Sequence, residues 1–216
     1  MKIREVSLTV TLIVICALNA GCVTGQRVIA LNVPASPIVH ADKGAISIAK
    51  VADERHFENN PAQASTPSVD GDVNTASRVT LNTMIGRQRN GFGKAMGDVA
   101  LAPPATVETQ VQALVTEGLK RRGYTVVASS SGDSADVTIE EFWAWFRPGF
   151  AEIAFEAQIR TLVSVTVSGQ KHTLNVSGHG RDEGQMASDE HWLRAYELAY
   201  EDYLKNLDSS LAGAGL

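Results

Sequence analysis

The sequence predicts an α+β fold: a two-layer sandwich whose mostly antiparallel sheet ends in a C-terminal meander and carries two helices on one face. Two observations predict it. Between residues 136 and 177, apolar and polar residues alternate in three runs joined by short turns, the signature of adjacent antiparallel strands. Two further stretches repeat their apolar residues at three- and four-residue intervals, so each buries one helical stripe against a common layer.

The elements follow in order. Val28–Val33 is a short apolar stretch, expected as a first strand at the end of a tether over residues 22–44. Ala45–Asp53, with Ile46 and Ile48 on one face, is a second strand. Residues 54–78 carry Asn59-Asn60-Pro61, Ser65-Thr66-Pro67 and Asp70-Gly71-Asp72 with few apolar residues, which predicts a long exposed loop. Val79–Leu101 reads as a hairpin turning at Asn90-Gly91-Phe92-Gly93.

Val107, Val111, Leu114, Val115 and Leu119 form the first helical stripe, with Thr106 as cap, basic Lys120-Arg121-Arg122 at the C-terminal end and Gly123 as stop. Tyr124–Ala128 is a short strand. The meander runs over 136–146, 150–167 and 172–177, turning at Arg147-Pro148-Gly149 and Ser168-Gly169-Gln170. A last helix, 189–210, starts after Ser188 and buries Trp192, Tyr196, Ala199, Tyr203 and Leu207. Residues 45–211 are expected to form one domain.

The N-terminus carries a different kind of signal. Lys2 and Arg4 precede an apolar run, Val6–Leu18, and the small residues Ala20 and Gly21 before Cys22. Basic, apolar and small-residue zones in this order make an export signal over residues 1–21. The run is about 13 residues, short of the about 20 that cross a bilayer. Leu18-Asn19-Ala20-Gly21-Cys22 resembles a lipobox, where cleavage between Gly21 and Cys22 follows lipidation of the cysteine; Asn19 departs from the pattern. Cys16 would leave with the signal, so Cys22 would stand alone and no internal disulfide is expected. Three acyl chains, at about 0.8 kcal/mol per buried CH₂, would make the attachment permanent. In enterobacterial lipoproteins, Asp after the cysteine marks inner-membrane retention. Val23 stands here, so that resemblance implies the outer membrane, facing the periplasm.

The chain has 216 residues, a formal net charge of −5 and 44% hydrophobic residues. That composition suits a folded domain and gives no basic stripe for nucleic acid.

In the order of these elements the chain resembles the YajG-like family of uncharacterised bacterial lipoproteins. The matching stretches are the lipobox, Val51-Ala52-Asp53-Glu54-Arg55, Ile85-Gly86-Arg87 with Asn90-Gly91, Leu119–Val127 closing on Gly123-Tyr124, Ala135–Ile139 and the Tyr- and Ala-rich terminal helix. The resemblance implies an envelope-bound, non-enzymatic protein of unestablished role, and it carries over no catalytic residue.

Candidate chemistry is sparse. Ser47-Ile48-Ala49-Lys50 matches a Ser-x-x-Lys motif, but on a strand those positions face opposite sides. Gly91-Phe92-Gly93-Lys94-Ala95-Met96-Gly97 lacks the following helix that a phosphate loop needs. Asp70-Gly71-Asp72-Val73-Asn74 opens like a calcium loop, with Thr75 and Leu81 where Gly and Glu belong. His172 and His191 have no metal-ligand spacing. No catalytic residue, metal or cofactor is therefore expected. Gly178–Gly184 reads as a solvated strand-to-helix connection, although His179 to Glu183 could begin an acid/base pair.

The aromatic group Phe142, Trp143, Trp145, Phe146 and Phe150 is the most informative feature. Neighbours on a strand face opposite ways, so the five cannot share one core. Either both faces of this hairpin are covered, which is the default, or one face meets a partner or lipid. Joint exposure of Phe142 and Phe146 would mark the second case. The sequence thus predicts a lipid-anchored binding or envelope-assembly module, joined to the membrane through Cys22, with an envelope protein or a second copy as partner. The alternatives are a hydrolase-like periplasmic enzyme around His179 and a small-ligand or lipid carrier with an apolar cavity.

Overall fold

One long strand organises the molecule by changing neighbours halfway along its length. The computed structural model describes residues 25–35, 41–90, 92–129, 132–149, 153–185 and 188–216. The strands are β1 Arg27–Ile29, β2 Gly44–Asp53, β3 Met84–Arg89, β4 Ala95–Leu101, β5 Tyr124–Val127, β6 Ser134–Pro148, β7 Ile153–Val167 and β8 Gln170–Gly184. The helices are α1 Arg78–Thr83, α2 Val107–Arg121 and α3 Asp189–Gly213.

One side of β6 pairs antiparallel with β7 from Ser134↔Thr166 to Pro148↔Ile153, and β7 pairs antiparallel with β8 over fifteen positions. The first half of its other side pairs parallel with β2, and the second half pairs parallel with β3 at Ala144 and Trp145. β5 extends the sheet beyond β2, while β4 and β1 extend it beyond β3. The result is an open, mixed sheet of eight strands in an α+β fold, with antiparallel ladders holding most of the paired positions.

Helices α2 and α3 cover one face, as predicted. Thr106 caps α2 reciprocally with Thr109, and Gly123 ends it with φ +100°. All five stripe residues expected of α3 are fully buried. Ser188 holds its N-cap position without a side-chain bond. Where α3 crosses β8 the strand presents Gly178 and Gly180, at which a Cβ would collide with the helix backbone at Ala199 and Ala195. The same helix reaches the sheet edge. The backbone N–H of His179 donates to Asp202 Oδ2 at 3.0 Å, and the carbonyl of Ser177 accepts from Asn206 Nδ2 at 2.9 Å.

Three expectations are corrected. First, residues 54–78 are not simply an exposed loop. Pro61, Pro67, Ser68 and Val69 are buried, and the segment closes a second, smaller core of Val69, Met84, Ala100 and Trp143 on the opposite face. A few apolar residues and proline suffice, because the arginines of β3 supply hydrogen bonds to its backbone carbonyls. Second, residues 22–44 are not a tether throughout. Gly25 N–H donates to Met96 O at 3.1 Å, β1 pairs with β4, and Ile29 and Leu31 are buried. Third, Gly178–Gly184 is strand rather than connection. Leu174, Val176, Gly178 and Gly180 continue one inward face, and the glycines hide that alternation from any hydrophobic pattern. In addition, the start of the expected hairpin is the short helix α1, capped by Ser77.

Candidate functional site at the hairpin end

The aromatic residues resolve as core. Phe142 is 0% and Phe146 7% exposed, on the helical face, where Phe142 stacks on Tyr196 at 5.1 Å and Phe146 meets Trp192 edge-on at 6.3 Å. Trp143 is 0% exposed on the other face, edge-on to Phe57 at 6.0 Å, and its indole N–H donates to Ala64 O at 3.2 Å. Trp145 packs at the margin of that second core. Both faces of the strand are covered at Phe142, Trp143 and Phe146, so these three offer no contact surface, while Trp145 is partly buried. Phe150, Gly21 and Cys22 lie outside the described residues.

The polar residues near the end of β8 separate by face. His179 and Arg181 point away from α3 and surround Glu156, which is 3% exposed. Its Oε1 accepts from Arg147 and Arg181, each at 3.0 Å, and its Oε2 lies 2.7 Å from His179 Nε2. Asp182 points the other way and meets His191 Nδ1 at 2.7 Å, with the imidazole stacked on Phe155. Alternation along β8 therefore keeps His179 and Arg181 from converging with Asp182. Among the described residues no hydroxyl or thiol bonds either imidazole, and no group of three potential metal ligands occurs. Ser47 and Lys50 lie on β2 beside a bulge, with Ser47 buried and Lys50 exposed.

A cleft of about 490 Å³ opens at the tip of the β3–β4 hairpin, between it and the 60–70 stretch. Strand spacing puts Arg87 and Arg89 on one face of β3, under that stretch. Arg89 donates to Pro61 O at 3.1 Å, Gly93 O at 3.3 Å and Ser68 Oγ at 2.9 Å. Arg87 donates to Val69 O and to Asp70 Oδ1, and lies 3.3 Å from Asp98 Oδ1. Burial, and after it the charge of Arg87, lowers the pKa of Arg89 from its ordinary value. Burial raises the carboxyl of Asp98, against the Asp70 N–H and Arg87 that favour its charge. Lys94 and Phe92 stand at the rim. In the sequence this segment reads only as the turn of a hairpin. Two arginines two residues apart on a hairpin were the available sign of a charged, covered face.

A family model described as an uncharacterised lipoprotein matches residues 63–196, more than half of the chain. The chain belongs to this YajG-like lipoprotein family. The match spans Ile85-Gly86-Arg87, the α2–β5 junction and the Ala135–Ile139 opening of the meander, while Val51–Arg55 lies before it. No curated protein matches the lipoprotein. Among solved structures it is similar to protein XCC0632 from Xanthomonas campestris, at 13% identity and a TM-score of 0.48, covering 88% of this chain and 94% of that one. An uncharacterised protein follows at 11% identity and 0.45, covering 86% and 97%. The hypothetical protein CT253 from Chlamydia trachomatis has 11% identity and 0.27, covering 79% and 96%. Among the described residues of the lipoprotein, no helix is long and apolar enough to cross a membrane.

Proposed function

We propose that the protein is a lipid-anchored, non-enzymatic binding or assembly module, held by acyl chains on Cys22 at the periplasmic side of the outer membrane. The observation that carries this reading is the place where the fold begins. Gly25, three residues beyond Cys22, is already bonded into the sheet edge, so the whole domain stays beside the attachment point. A module at that distance meets envelope partners or a second copy of itself in the plane of the membrane. Membership of a lipoprotein family supports the anchor. The separation of His179 and Arg181 from Asp182 takes support away from a hydrolase. Trp192, Tyr196, Tyr200 and Tyr203 fill the space where a carrier would hold ligand.

Acyl labelling in cells tests the anchor. The parent protein should take up labelled fatty acid and sediment with outer membranes. The Cys22→Ala protein should take up none and wash into the soluble fraction. A free thiol at Cys22 in the mature parent protein would overturn the reading. Crosslinking in intact cells then identifies what the anchored domain meets.

A further inference from the structure

We propose that the tip of the β3–β4 hairpin, led by Phe92, is seated in the bilayer interface beside the anchor; this rests on lipidation of Cys22. The parallel register Arg27↔Val99 to Ile29↔Leu101 and the Gly25–Met96 bond set the direction. Followed towards its N-terminus, β1 runs along β4 towards the hairpin tip. Three residues extended span at most about 11 Å, so the acylated sulfur stays at this end of the domain.

Phe92 is 97% exposed, the most exposed large apolar side chain among the described residues. It is displayed rather than loose. Asn90 Oδ1 accepts from the N–H groups of Phe92 and Lys94 at 3.0 and 2.9 Å, and Asn90 N–H donates to Lys94 O at 2.8 Å. These bonds matter for the proposed surroundings, because a backbone N–H carried unpaired into an apolar layer is costly. An aromatic ring suits the headgroup boundary, and the adjacent Lys94 can keep its ammonium among lipid phosphates. One ring would not hold a protein on a bilayer. Next to an anchor it need not, since attachment already supplies a high local concentration of membrane. The domain would then stand on its hairpin end, with the far ends of β8 and α3 directed into the periplasm.

The test uses the full lipidated protein carrying Phe92→Cys. Cys16 leaves with the signal and Cys22 is acylated, so the introduced thiol is the one available for an environment-sensitive fluorophore. Lys205→Cys, exposed on the distal half of α3, is the control. Both are reconstituted into phosphatidylethanolamine–phosphatidylglycerol vesicles, with and without doxyl-labelled lipid. The probe at position 92 should shift to the blue and lose most of its emission to doxyl lipid, while the probe at 205 does neither. Water-like emission at 92 from protein with acylated Cys22 overturns the inference alone. A blue shift without doxyl quenching also overturns it, since the tip then meets protein. An unmodified Cys22 peptide by mass spectrometry overturns the anchor, and the inference with it.

Discussion

Five N–H donors on the Arg55 guanidinium meet five acceptors. Two bonds go to Asp53, at 2.8 Å each, and the others go to Leu81 O, Met84 O and Phe142 O at 2.7–2.9 Å. The side chain fills the fork where β6 exchanges β2 for β3, so it replaces ladder bonds that the sheet cannot make there. The neighbouring 270 Å³ cavity is lined by this guanidinium, but every donor is already engaged. Removing a partner from a buried, hydrogen-bonded pair leaves the other charge stranded, at about 3–5 kcal/mol. Arg55→Met should lower stability by that amount in urea denaturation. Arg55→Lys, with three donors, should recover part of it. An Arg55→Met protein as stable as the parent would show that the fork closes without the arginine. The sequence displayed Asp53-Glu54-Arg55 as a family motif at a strand end. It did not display the fork, because the partners of Arg55 come from residues up to 87 positions away.

At the scale of elements, the contact between α3 and β8 depends on missing side chains. Gly180→Ala places a methyl against Ala195 O and 2.5 Å from Ala199 N, both backbone. Overpacking of this kind costs about 1–3 kcal/mol, and more where backbone must move. Its urea midpoint should therefore fall, while Gly213→Ala, with open space around it, should change little. Equal midpoints for the two variants would refute the close packing. Helices α2 and α3 and most strands were legible because their inward residues are apolar at helical or strand spacing, whereas the short α1 buries no residue and left no such stripe. The second half of β8 was not, since its inward residues are glycine. The covering segment over β3 was not, since its attachment is made by Arg87 and Arg89 from another element. Asn90-Gly91 located the hairpin, but no local pattern in 22–35 announces pairing with β4 some 70 residues later.

The molecule as a whole carries a pH signature. Burial raises the carboxyls of Glu141 and Asp98, against the opposing pull of Arg160 on the first and of Arg87 with the Asp70 N–H on the second. A raised carboxyl binds its proton in the folded state at a pH where the unfolded chain has lost it. The contribution is present below the ordinary carboxylate range and lost as pH rises through the folded value. Glu141→Gln, permanently neutral, should thus be more stable than the parent at pH 7, and the gap should close towards pH 4 in paired denaturation curves. Arg160 keeps Glu140 as a partner in that variant. A gap that does not change with pH would dismiss burial of the charge as its cause.

Strand β8 ends the sheet with fifteen residues, long enough to recruit a foreign strand from a neighbouring molecule. Asp202 and Asn206 already occupy the His179 amide and the Ser177 carbonyl midway along it, so an incoming chain finds its ladder interrupted at the centre. That pair of helix side chains therefore shields the middle of the exposed edge from strand addition by a second copy of the chain.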